Sequence, residues 1–83
     1  MTKKQVDNAW GKAKPIQGRN QNVYREDAYG NVIRKASYGT HGEYGWELDH
    51  KRPSSKGGSD KPQNIQALHW QENREKSNKY PYK

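Results

Sequence analysis

The chain has 83 residues, enough for one small domain and too few for a large buried core. Only 28% of it is hydrophobic and it has no phenylalanine, so three tryptophans and six tyrosines must supply most of the apolar burial. A net charge of +7 favours a polyanionic partner, while the lack of cysteine excludes a disulfide framework, a thiol nucleophile and a Cys-ligated zinc.

In chain order, Met1 to Gln5 is polar and basic and reads as a frayed end. Val6 to Trp10 fits one helical turn with its two apolar ends on one side, and Gly11 and Pro15 stop it. Gly18 to Asn22 is a loop. Val23 to Lys35 holds two short runs of β-forming residues around Gly30-Asn31, which predicts a β-hairpin over 23–36 with its turn near Asp27–Asn31. Arg25, Arg34 and Lys35 lie on or beside it, as candidate phosphate contacts or as a solvated basic face. Ser37 to Gly45 carries three glycines and reads as a loop, with His41 an ordinary exposed histidine.

From Trp46 onward the pattern sharpens. Tyr44 to His50 alternates as a half-buried strand, with Trp46 and Leu48 facing one way. Pro53, Gly57, Gly58 and Pro62 forbid a regular element between Lys51 and Gln63. Asn64 to Leu68 predicts a second strand anchored by Ile65. His69 to Ser77 favours a helix, with Asn78 suited to its end and Pro81 preventing continuation. The tail, 79–83, is expected to be mobile. No stretch approaches the roughly 18 apolar residues of a membrane span, nor is there a secretory h-region, so the default location is the cytoplasm.

Within this stretch sits a set of groups suited to phosphodiester hydrolysis. Water must lose a proton, and a histidine titrates near neutrality. The anionic phosphate and the leaving oxygen need a Lewis acid, and Asp49 offers a hard oxygen suited to Mg²⁺ or Mn²⁺. Neighbouring strand residues point to opposite faces, so His50 and Asp49 share a site only if the strand ends there. Asn73 adds an amide oxygen from the helix, with His69 one turn earlier. Trp46, Leu48, Ile65, Leu68 and Trp70 are accounted for as core alone; the acid, imidazole and two asparagines are not.

Asp49-His50, the Gly57–Asp60 loop, Asn64 fourteen residues after His50, Asn73 nine further on and Lys76 three beyond it resemble the HNH nuclease family, over about residues 45–78. The resemblance implies an α+β fold with a ββα-metal core, here preceded by the hairpin, in one domain of 1–83. It implies that His50 is the general base, that Asp49 and Asn73 bind a divalent metal, and that Asn64 holds the loop and orients the histidine. The implied reaction is metal-dependent DNA cleavage that leaves a 5′-phosphate and a 3′-hydroxyl. Asn73 stands where many members have histidine, an HNN pattern that shifts the expected metal toward Mg²⁺, with Mn²⁺ admitted. The CxxC pairs of many members are missing, so no structural zinc is expected. His69 is left between metal ligation, phosphate contact and capping of the helix.

Lys51, Arg52, Lys56, Arg74 and Lys76 are the basic residues nearest the motif and, with Arg25 and Arg34, are the expected nucleic-acid contacts. The partner is expected to be DNA, with a homodimer or a larger protein partner also open. The rival readings are a non-catalytic nucleic-acid-binding domain of the same fold and a nuclease subunit that takes its specificity from a partner.

Overall fold

A computed structural model describes residues 1–83. The first helix, α1 (Lys3–Lys12), is longer than the single turn expected and begins inside the supposed frayed end. The reason is a capping box: Thr2 Oγ1 accepts from Gln5 N–H while Gln5 Oε1 accepts from Thr2 N–H, satisfying two orphan donors reciprocally. Ala9 and Trp10 form its buried face.

A three-stranded antiparallel sheet follows, β1 (Lys14–Pro15), β2 (Tyr24–Glu26) and β3 (Val32–Arg34). The β2–β3 hairpin lies where its sequence placed it, with Tyr24 opposite Arg34 and Glu26 opposite Val32. Its turn is tied by Asp27, whose Oδ1 accepts from the N–H groups of Tyr29 and Asn31. The two-residue β1 is too short to leave a pattern in the sequence.

The second sheet pairs β4 (Trp46–His50) with β5 (Ile65–His69), antiparallel, and α2 (Trp70–Lys76) continues directly from β5. The register sets Asp49 opposite Gln66 and His50 opposite Ile65. Opposed residues share a face. One face therefore carries Trp46, Leu48, Ile65 and Ala67, which join Ala9, Trp10 and Ile33 in the core. The other face carries Glu47, Asp49, Gln66 and Leu68, and α2 packs on this sheet. Trp46, 0% exposed, centres the core: its ring meets Trp10 at 5.5 Å and Tyr38 at 5.0 Å, and its Nε1 donates to the Arg34 carbonyl at 2.8 Å. The expected α+β architecture is the one observed.

Beyond the Trp46–Arg34 bond, three long-range ties fasten the hairpin to the second sheet and α2. Asp27 Oδ2 accepts from His69 N–H, and Asn31 Nδ2 donates to Glu72 Oε1. The expected mobile tail is the third. Tyr82 and Lys83 both hydrogen-bond Glu72 Oε2, and the Tyr82 ring packs edge-on against Tyr29 at 5.4 Å. Burial opposes the charge on Glu72, but the bonds from Tyr82, Lys83 and Asn31 outweigh it and bring its pKa down to about 2.

Candidate functional site

Strand β4 and helix α2 meet in two parallel rungs. Glu47 and Asp49 lie two apart on one strand face, and Asn73 and Lys76 lie three apart on one helix face. In the first rung, Asn73 Nδ2 donates to Glu47 Oε1 at 2.8 Å. In the second, Lys76 Nζ reaches Asp49 Oδ1 at 3.2 Å and the His50 carbonyl at 2.9 Å. Gln66 Nε2 donates to the other Asp49 oxygen at 3.0 Å.

The first rung fixes the direction of Asn73. A carboxylate only accepts, so the amide nitrogen must face Glu47 and Oδ1 faces away, where it makes no hydrogen bond within the protein. Arg74 locks Glu47 from the other side with two bonds, Nη1 to Oε1 at 2.7 Å and Nη2 to Oε2 at 2.9 Å. The Arg74 bond is the main cause that holds the Glu47 pKa below the usual carboxylate range, against its burial.

His50 closes β4 on the face away from Asp49. Its Nε2 lies 2.7 Å from Asp60 Oδ1, so in the neutral ring Nε2 carries the proton and Nδ1 keeps a lone pair. Nδ1 has no protein partner. Asn64, expected to orient this ring, does not touch it. Its side chain accepts from Arg52 N–H at 2.9 Å and donates to the carbonyls of Arg52 and Ser59 at 3.1 and 2.7 Å. Asn64 thus ties both ends of the loop from Arg52 to Ser59, and Asp60, immediately beyond, is the residue that reaches the imidazole.

The remaining expected residues divide. His69 is the N-cap of α2: Nδ1 accepts from Gln71 N–H at 3.1 Å and Nε2 faces the Glu43 carbonyl at 2.7 Å. Both ring nitrogens are engaged, so of its three expected roles it fills capping. Lys76 is not a surface cation but is 1% exposed, because it neutralises Asp49 inside the protein. Arg25 is likewise turned inward. Its guanidinium caps α1 through the carbonyls of Trp10 and Gly11, where a cation complements the helix C-terminus. Arg74 is half exposed but paired with Glu47. Lys51, Arg52, Lys56 and Arg34 stay on the surface. His41, read as an ordinary exposed histidine, stacks on Trp70 at 4.9 Å and lies 3.6 Å from Glu47.

Sequence reasoning missed Glu47 and Asp60. Glu47 carried a signal, an acid two residues before Asp49 and so on the same strand face. Asp60 is ten residues from His50 along an irregular loop, and no periodicity links the two.

The donor set suits a hard divalent cation. Asp49 has two lone-pair sites beyond those taken by Lys76 and Gln66, and Asn73 Oδ1 is free. Two protein oxygens suit a small hard cation that retains several waters. No group of three or more His, Cys, Asp or Glu side chains is placed to form an all-protein metal cage. No helix is long and apolar enough to cross a membrane.

Among known families, the one described as HNH endonuclease matches residues 37–79. Neither a curated protein nor a solved structure matches the chain.

Proposed function

The chain belongs to the HNH endonuclease family, and we propose that it is a divalent-metal-dependent endonuclease that hydrolyses DNA phosphodiester bonds. The family implies nuclease activity on a nucleic acid. The observation that carries it is the state of His50. Its Nε2 is held by Asp60 and its Nδ1 is left free, at the end of the strand that presents Asp49.

In this reading His50 Nδ1 takes the proton of the attacking water, and the Asp60 carboxylate steadies the imidazolium that results. Asp49 and the Asn73 amide oxygen would hold Mg²⁺ or Mn²⁺, which when bound supplies Lewis-acid polarisation of the phosphate and stabilises the leaving oxygen. Glu47 keeps the Asn73 oxygen turned away from itself, and Lys76 with Gln66 keeps the Asp49 carboxylate in one orientation. Asn64 sets the loop that delivers Asp60. Lys51, Arg52 and Lys56 follow His50 within six residues and provide the exposed positive charge along the DNA path, so affinity should fall steeply with salt.

The test is plasmid nicking at low salt with Mg²⁺ or Mn²⁺, beside EDTA and a His50→Ala variant. Cleavage that requires metal and disappears in the variant is the expected result. An intact plasmid together with a mobility shift would replace this reading with that of a nucleic-acid-binding domain. Undiminished cleavage by His50→Ala would remove the assigned base.

A further inference from the structure

Behind the Asp49 carboxylate lies an open cleft of about 310 Å³ that none of the roles above uses. Its lining includes Tyr29, Tyr80, Tyr82 and Lys51. Gln66 and Lys76 also line it, and these are the two side chains bonded to Asp49. The cleft therefore adjoins the proposed catalytic carboxylate. Tyr29 reflects the same proximity: burial first, and then the charge of Asp49, push its phenol pKa up.

Tyr80 is the most exposed of the three rings. Tyr80 is 49% exposed and donates or accepts no hydrogen bond in the structure, while the Arg52 guanidinium stands over its ring at 5.6 Å. Tyr29 and Tyr82 brace one another edge to face. A second cleft, of about 200 Å³, shares Lys51, Gln66 and Ala28 with the first and adds Lys12 and Lys14. The Lys12 ammonium is fixed by the Ile65 carbonyl at 2.7 Å. Burial, then repulsion from Lys51, lowers its pKa, so an anion between the two lysines relieves a standing repulsion. Of the acids in this second cleft, Asp27 has its carboxylate engaged by Tyr29, Asn31 and His69, leaving Glu26 as the single free one.

Aromatic faces beside a cationic track are the chemistry of single-strand binding. Every base has a π-face to stack, and the cations follow the backbone. A paired, stacked duplex base cannot present its face to a tyrosine. We propose that the cleft formed by Tyr29, Tyr80 and Tyr82 seats an unpaired nucleobase of single-stranded DNA, with Arg52, Lys51 and Lys12 along its phosphates. This deepens, and rests on, the reading of the chain as a nuclease. It makes the substrate class a single-stranded or locally unpaired DNA segment held beside Asp49.

The test is binding by fluorescence anisotropy in EDTA at low salt, with a fluorescein-labelled twelve-residue oligothymidylate and a duplex of the same length as probes. EDTA removes cleavage from the readout, so the pocket is tested independently of the nuclease chemistry, which the plasmid assay reads. The wild-type chain should bind the single strand more tightly. Tyr80→Ala should weaken that binding by roughly 5- to 150-fold, the range of one base–aromatic stack, while Tyr80→Phe retains it and duplex binding does not change. Circular dichroism confirms that Tyr80→Ala is folded. Equal affinity for the two probes, an undiminished Tyr80→Ala, or an equal loss on both probes would overturn the proposal, whatever the plasmid assay shows.

Discussion

Truncation of Asp49 should destabilise the protein before it reports on chemistry. Asp49 is 7% and Lys76 1% exposed, and the two face each other at 3.2 Å. Removing one partner of a buried ion pair costs about 3–5 kcal/mol, because the other charge is left uncompensated. Lys76 keeps its bond to the His50 carbonyl, so Asp49→Ala should fall near the lower end, at about 3 kcal/mol. At about 0.05–0.15 kcal/mol per residue, a chain of this length has roughly 4–12 kcal/mol in all, so the loss is a large share. With a urea slope of about 1 kcal/mol per molar, the midpoint should drop by about 3 M. The double variant Asp49→Ala/Lys76→Met removes both charges and should recover most of the loss, since an apolar replacement of a whole buried pair is often close to neutral. Urea titration of the wild type, both single variants and the double variant measures the coupling directly. Single losses below about 1 kcal/mol that simply add in the double variant would refute the buried pair. Asp49→Asn keeps an oxygen for Lys76 and is therefore the better variant for testing metal binding.

Glu47→Ala should weaken Mn²⁺ binding by about 10- to 100-fold, as expected for a residue that orients a ligand, with little change in urea midpoint because its Arg74 partner is 54% exposed. Electron paramagnetic resonance of free Mn²⁺ reads this, and unchanged affinity would exclude Glu47 as the residue that orients Asn73. Gly58→Ala should destabilise by about 1–3 kcal/mol or more, since a Cβ there would stand 1.6 Å from the Arg52 carbonyl oxygen; a urea midpoint equal to wild type would show that the loop shifts freely. The tail should undock in acid. Glu72 has its pKa depressed from 4.5 to about 2, so its contribution is complete above about 4.5 and is lost as pH falls toward 2. Nuclear Overhauser contacts between Tyr29 and Tyr82 follow this, and contacts that persist unchanged at pH 2 would contradict it.

What the sequence showed and hid follows from the range of the forces involved. Strands β4 and β5 and helix α2 were legible because alternation, loop-breaking Gly and Pro residues and the spacing from Asp49 to Lys76 are local. The start of α1 was missed: Thr2 and Gln5 spell a capping box, but the lysines between them read as a frayed polar end. Arg25 and Lys76 were misassigned to the surface because charge alone does not tell a solvated cation from a neutralised one. Their partners, the α1 carbonyls and Asp49, lie 14 to 15 and 27 residues away. The same holds for the tail, whose anchor Glu72 is ten and eleven residues back from Tyr82 and Lys83, and for Asp60, which the loop folds onto His50.

The two rungs between β4 and α2 explain how the proposed site would use Glu47 as well as Lys76. Residues two apart on a strand are separated by about 6.6 Å along its axis, and residues three apart on a helix by about 4.5 Å. The rungs are thus mismatched by about 2 Å, and something must absorb it. Lysine has a long flexible stem and can reach Asp49 from a range of positions. Asparagine is short and cannot, so the position of the Asn73 oxygen depends on the contact made by the Glu47 carboxylate. Arg74, clamping both Glu47 oxygens, prevents that carboxylate from following the amide if it moves. Lys76 is therefore the adjustable rung, carrying charge balance and stability, and Glu47 the rigid one, carrying direction. Because successive strand residues face opposite ways, the same register leaves the His50 ring clear of both rungs, although its carbonyl takes part in the second, so the ring is free to be positioned by the loop and to keep one nitrogen open.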